Sequence, residues 1–95
     1  MFKVEKTLDQ DSTVLRLVGR VKAEHLADLK TLIADERAPI LLDLSEVTLV
    51  DLDVICFLED YERSGVQLVN CSPYVREWIR REKAANSSLK ESENN

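Results

Sequence analysis

Glycine and proline are scarce, two of each in 95 residues. Gly19 and Gly65 stand alone, so no glycine-rich loop can wrap backbone N–H groups around a phosphate, which excludes a nucleotide site of the usual loop type. Two cysteines, Cys56 and Cys71, are too few for the disulfide scaffold of a small secreted domain. The thiols are read as reduced and the chain as cytoplasmic. The single histidine, His25, has no cysteine or acidic residue at ligand or triad spacing and reads as a surface residue. Apolar runs are short. None approaches the roughly 20 residues of a membrane span, and Met1 leads into strand-like sequence without a basic-then-apolar leader. Positive charge is outnumbered, 13 Lys and Arg against 18 Asp and Glu for a net charge of −5, which opposes non-specific binding to nucleic acid or anionic membrane.

What is there is a globular balance: 44% hydrophobic and 33% charged residues, in a length that makes one domain and buries roughly 60–65% of its unfolded surface. Phe2, Val4 and Leu8 alternate along an extended segment; residues 9–12 form a polar turn, and residues 13–18 are a second strand ending at Gly19, which together predict an antiparallel hairpin. From residue 22 to 36 the period changes. Ala23, Leu26, Leu29, Leu32 and Ile33 recur at helical spacing. Pro39 closes that connection, and the apolar run Ile40-Leu41-Leu42-Asp43-Leu44 fits a parallel central strand covered on both faces.

A second helix is predicted over residues 51–64, with Val54, Ile55, Leu58 and Tyr61 or Glu62 on its inner stripe and Gly65 as its stop. Residues 66–69 are a fourth strand. Ser72 as N-cap and Pro73 at the first helical position start a third helix, with Val75, Trp78, Ile79 and Glu82 inward. Residues 1–82 thus form one domain, and residues 83–95, rich in Lys, Asn, Ser and Glu with Leu89 the one large apolar residue, read as a disordered tail. The order ββαβαβα, with the last three strands parallel and the first antiparallel to the second, predicts an α/β layer on a four-stranded mixed sheet.

Most chemistry-bearing residue types have structural readings. Cys56 falls mid-helix as a small apolar group, and no charge cluster activates Cys71. Tyr74 and Trp78, among Arg76, Arg80 and Arg81, read as the anchor of a terminal helix on the sheet. No nucleophile stands out, and an enzyme is not expected.

The segment Asp43-Leu44-Ser45-Glu46-Val47-Thr48-Leu49-Val50-Asp51 resembles the signature of the STAS family, the sulphate-transporter and anti-sigma-factor-antagonist domains. Members carry a strand ending in Asp-Leu-Ser, an apolar position, and an Asp that opens a helix. Val14-Leu15-Arg16-Leu17-Val18-Gly19 is similar to the family's second strand and Gly65-Val66-Gln67-Leu68 to its last, so the likeness runs from about Phe2 to Glu82. It implies the STAS fold, a bacterial origin and a protein partner in signalling and transcription regulation: a kinase-type anti-sigma factor, or, for STAS accessory subunits of membrane transporters such as lipid-transport ABC systems, the transporter ATPase. No cofactor is implied.

In antagonists the helix-opening Asp is followed by two small polar residues, the second being the phosphorylated Ser or Thr, and then Gly. Here the stretch is Asp51-Leu52-Asp53-Val54, so the phosphoacceptor position falls on Asp53 and the glycine position on Val54. Where the family often has an acid after the second strand, this chain has Arg20, Val21 and Lys22. The expected partner-binding surface is Ser45, Glu46, Thr48, Asp51, Leu52, Asp53 and Lys22, with Ser45 and Thr48 in the connection between strand and helix and the Ser45 side chain bonding the loop backbone.

The chemistry of that corner follows from the helix end. Its first four N–H groups lack partners, and the aligned peptide dipoles place about half a positive charge there. Asp51 as N-cap would satisfy one N–H, contributing about 1 kcal/mol. Asp53 in the first turn would place a permanent single negative charge where a phosphate carries nearly two. Asp43, Asp51 and Asp53 near one strand end raise a rival reading, a phospho-aspartate receiver with bound magnesium. Such a site needs convergent carboxylates and a nearby lysine, and cap plus solvated acids is the simpler account.

Overall fold

In the computed structural model, which describes residues 2–93 and side chains to residue 85, the expected hairpin joins β1 (Phe2–Asp9) to β2 (Ser12–Val21) through Gln10 and Asp11. A 3-10 turn (Ala23–His25) leads into α1 (Leu26–Ala34), followed by β3 (Ile40–Val50), α2 (Leu52–Arg63), β4 (Gln67–Val69) and α3 (Pro73–Glu93). The sheet order is β1-β2-β3-β4, with β1 antiparallel to β2 and the β2–β3 and β3–β4 pairs parallel. This is the predicted α/β architecture and element order.

Both crossovers step the same way across the sheet, and right-handed connections then place α1 and α2 on one face. The core agrees. Leu15, Leu17 and Val21 of β2 and Ile40, Leu42 and Leu44 of β3 alternate onto that face and pack with Leu29, Val54, Ile55, Phe57, Leu58, Val75 and Ile79 of the helices. The expectation that Ile40–Leu44 is covered on both faces therefore fails on one of them. Leu41 is half-buried, and the opposite face carries a row of cross-strand charges in register: Glu5 opposite Arg16, and Arg16 opposite Asp43. Arg16 reaches Glu5 at 3.6 Å and Asp43 at 3.5 Å, a pairing of opposite signs that favours this register.

Two strands run past their expected ends. Gly19, at φ 92°, bends β2 instead of ending it, and β3 continues to Val50. The pairing survives through two irregularities in which β3 spends extra residues: Asp43 to Glu46 spans Arg16 to Val18, and Val47 to Leu49 spans Gly19 to Arg20. A bulge adds a residue without ending a ladder and re-aims the side chains after it. Ser45 and Thr48 consequently lie on strand β3, not in a connecting loop.

The α3 start matches expectation, with the Val75 N–H donating to the Ser72 hydroxyl at 3.3 Å. Arg76 binds both carboxylate oxygens of Glu62 at 2.9 Å, which fastens α3 to the end of α2. Residues 83–93, expected as a disordered tail, continue α3 as helix. Nothing in their composition stops it: no Gly or Pro follows Pro73, and Ala, Lys, Glu and Leu are good helix formers. Ile79 is the last fully buried residue of α3 among those described, and residues 83–85 are exposed. Deleting residues 83–95 is accordingly expected to lower the melting temperature by less than about 4 °C, the equivalent of under ~1 kcal/mol in a domain this size. A larger drop in a thermal melt would show that the segment docks on the body.

Candidate functional site

The register of the two long strands brings the site together. Val21 pairs with Val50, so the chain leaving β2 and the chain leaving β3 emerge side by side. Asp51 stands between them as N-cap of α2, at φ −107° and ψ 179°. Its Oδ1 accepts the Val54 N–H at 3.0 Å, as the cap expectation requires. Its Oδ2 accepts the Ala23 N–H, also at 3.0 Å. One half-buried carboxylate thus satisfies free N–H groups at two helical starts, one of them 28 residues from Asp51 in sequence, and locks the β2–α1 junction to the β3–α2 junction.

The next two residues face outward. Leu52 is 50% exposed, and Asp53 is exposed in the first turn of α2. Leu49, also 50% exposed, pairs with Arg20 on the side of the sheet away from the core. A shallow groove of about 410 Å³ runs here between Arg20 and Lys22 on one strand end and Leu49 and Asp51 on the other. Leu49 in that groove and Leu52 at the start of α2 are both exposed apolar side chains among charged ones, the composition of an interface whose apolar anchors sit inside a polar edge. Leu49 was missed in the sequence because the stretch after Leu44 reads as a connection, whereas β3 runs on to Val50. The available signal was alternation itself: continued past Leu44 from Ile40, it puts Leu49 on the outward face.

The other expected surface residues are placed less tightly. Ser45, Glu46 and Thr48 are exposed along β3 and Lys22 at the end of β2, upstream of the corner on the same edge. Ser45 acts through its backbone: its N–H donates to Asp43 Oδ1 at 2.9 Å. The three acids of the magnesium reading do not converge. Asp43 is 7% exposed and is held by Ser45, by Arg16 and by the Asn70 amide at 3.2 Å. Asp51 is engaged by two N–H groups and Asp53 points to solvent. Among the described residues no group of three or more His, Cys, Asp or Glu side chains forms a metal site.

Burial alone would raise the Asp43 pKa, but the Ser45 and Asn70 donors and the Arg16 charge outweigh it and hold the carboxyl below its ordinary 3.8. A carboxyl depressed in the folded state stabilises above the unfolded value, and that contribution is lost as pH falls through the folded one. Asp43→Asn is therefore expected to flatten the acid limb of a melting-temperature profile below about pH 4; an unchanged limb would show that other carboxylates govern it.

The remaining candidates are structural. His25 is half-buried instead of lying on the surface: its ring stacks on Phe2 at 4.2 Å, and its Nδ1 accepts the Lys22 N–H at 3.0 Å. Phe2, far away along the chain but brought close by β1, is what covers it. Burial and the nearby carboxylates of Glu82 and Asp53 push the half-buried Cys56 thiol up, which keeps it protonated and unreactive. Burial likewise raises Cys71.

No protein-family model matches the chain, and no curated protein is similar enough in sequence to match. Solved structures do match. The chain is similar to the anti-sigma factor antagonist SpoIIAA in its unphosphorylated form, with a TM-score of 0.61 at 18% sequence identity, over 95% of this chain and 98% of that one. At that identity the likeness is one of fold, and it is the STAS fold that the Asp43–Asp51 segment resembles.

Proposed function

We propose that the chain is a non-enzymatic interaction module of the anti-sigma-factor-antagonist type, docking a protein partner on the corner where β3 meets α2. The observation that carries this is the exposed Leu49 and Leu52 pair beside an exposed Asp53 in the first turn of α2. The likeness to an antagonist of known structure supports the general kind of function. The partner class is a kinase-type anti-sigma factor or a related regulatory protein of the bacterial cytoplasm.

Asp53 makes the corner permanent. A carboxylate cannot be esterified by a Ser/Thr kinase, and its charge sits in the favourable field of the helix start. It carries fewer acceptor oxygens than a phosphate and about half the charge, so it fixes the electrostatics of the corner at an intermediate level. Incubation with ATP and a kinase-type anti-sigma factor is expected to leave the intact mass unchanged, whereas Asp53→Ser gains one phosphate. A phosphate on the native chain would overturn the fixed-state reading.

The same unswitchable Asp53 favours a second reading, an accessory subunit bracing the ATPase of a membrane transporter such as a lipid-transport ABC system, which needs no phosphorylation cycle. Asp53→Ser separates the two. It alters partner exchange for a regulator and leaves a subunit's assembly intact.

A further inference from the structure

The 3-10 turn with α1, and α2, turn matching helical stripes toward each other: Ala23, Leu26, Ala27 and Lys30 on one side, and Asp53, Cys56, Phe57 and Asp60 on the other. Each stripe follows the i, i+3, i+4, i+7 pattern of one helical face. Ala23, Ala27 and Cys56 are too short to bridge the gap, and an open groove of about 540 Å³ remains between the helices. Its floor is apolar, with Phe57 buried and Leu26 and Cys56 half-buried. Its lips are charged. Asp53 and Asp60 are both exposed on α2, seven residues apart and therefore about 10.5 Å along the axis. Lys30 stands exposed on the opposite lip. Among the described residues neither Asp53 nor Lys30 has an ion-pair partner, and Asp60 has only the exposed Arg63 at 3.3 Å.

We propose that this groove receives an amphipathic helix of a partner protein, with its apolar ridge on the Leu26–Cys56–Phe57 floor and two basic side chains, two turns apart, against Asp53 and Asp60. The assignment rests on the reading of the chain as a protein-interaction module and names the chemistry of what it binds. Charge complementarity selects the occupant. The acidic lip has carboxylates at a helical repeat, so a helix with Lys or Arg at i and i+7 meets both at once. An acidic residue on its other flank meets Lys30. A ridge of large apolar side chains fits the trench left by the two alanines, the helix-in-groove mode of recognition. Asp53 then has a use that does not depend on imitating a phosphate: it is a fixed rim charge shared by the corner and the groove.

The test is an NMR titration of the isotope-labelled full chain with a synthetic alanine-based helical peptide carrying three leucines on one face and two arginines seven apart. A twin peptide has glutamates in place of the arginines. Shifts confined to residues lining the groove, and binding at least tenfold weaker for the glutamate twin, are expected. Ala27→Trp fills the groove from an exposed position and Asp60→Arg reverses one lip; each is expected to weaken the arginine peptide at least tenfold with the fold intact by circular dichroism. Equal binding of the twins, shifts only around Leu49, or full binding by both variants would overturn the proposal. So would self-association abolished by Ala27→Trp, which would put a second copy in the groove. Leu52→Arg lies outside the groove: it is expected to keep the peptide while losing a partner docked at the corner, so failure of the groove and failure of the module are read separately.

Discussion

Leu52→Arg is expected to weaken the partner complex at least about 100-fold, equivalent to ~2.7 kcal/mol, while leaving the melting temperature within about 2 °C of the native protein's. The asymmetry follows from exposure. Leu52 is already 50% in solvent, so the isolated fold has little to lose there. A partner covering the corner would have to desolvate a guanidinium with no acid built to receive it, and a buried unpaired charge costs several kcal/mol. Leu49→Arg is expected to behave alike, because Leu49 is equally exposed and flanks the same corner. The control is Leu8→Arg. Leu8 is more exposed, at 72%, but it sits beside the β1–β2 turn at the far end of the sheet, since it pairs with Thr13 and Thr13 pairs with Ile40. Binding measured by calorimetry with a purified anti-sigma factor or transporter ATPase should ignore Leu8→Arg. A complex as sensitive to Leu8→Arg as to Leu52→Arg would place the docking face elsewhere.

The elements that periodicity controls were legible in the sequence. Strand and helix stripes, the hairpin turn and the caps at Asp51 and Ser72 all depend on residues within a few positions of one another, and they stand where local chemistry puts them. What local chemistry does not encode is the register between distant strands. The two extra residues of β3 against β2 decide that Ser45 and Thr48 are strand residues and that Asp51 meets Ala23. None of these can be read by counting along one segment. The third helix runs beyond its expected end. Polar composition after Glu82 suggested disorder, whereas the absence of any helix-stopping residue left nothing to end α3 before Glu93. His25 was misplaced because the aromatic that covers it, Phe2, comes from a strand on the far side of the hairpin.

Asp51→Ala is expected to be the most destabilising single change at the corner, by about 2 kcal/mol: ~1 for the lost N-cap and ~1 for the second hydrogen bond. In a domain this size that lowers the melting temperature by about 8–16 °C. The graded replacements isolate the two contributions. Asn has one carboxamide oxygen and an NH₂ that cannot accept, so Asp51→Asn keeps the bond to Val54 or the one to Ala23 but not both. Ser caps α2 with its hydroxyl yet is too short to span the second gap, so Asp51→Ser should fall near Asp51→Asn, and both midway between the native protein and Asp51→Ala. Amide exchange separates them further. The Val54 N–H should stay protected in Asp51→Ser, whereas the Ala23 N–H should exchange faster in every variant that loses Oδ2. Since Ala23 opens the turn into α1 and also lines the groove beside Asp53, loosening it should blur both surfaces at once. Thermal melts in which Asn and Ser match the native protein and only Ala falls would mean that the carboxylate acts only as a cap, and that β2 and β3 hold the corner together without its second bond.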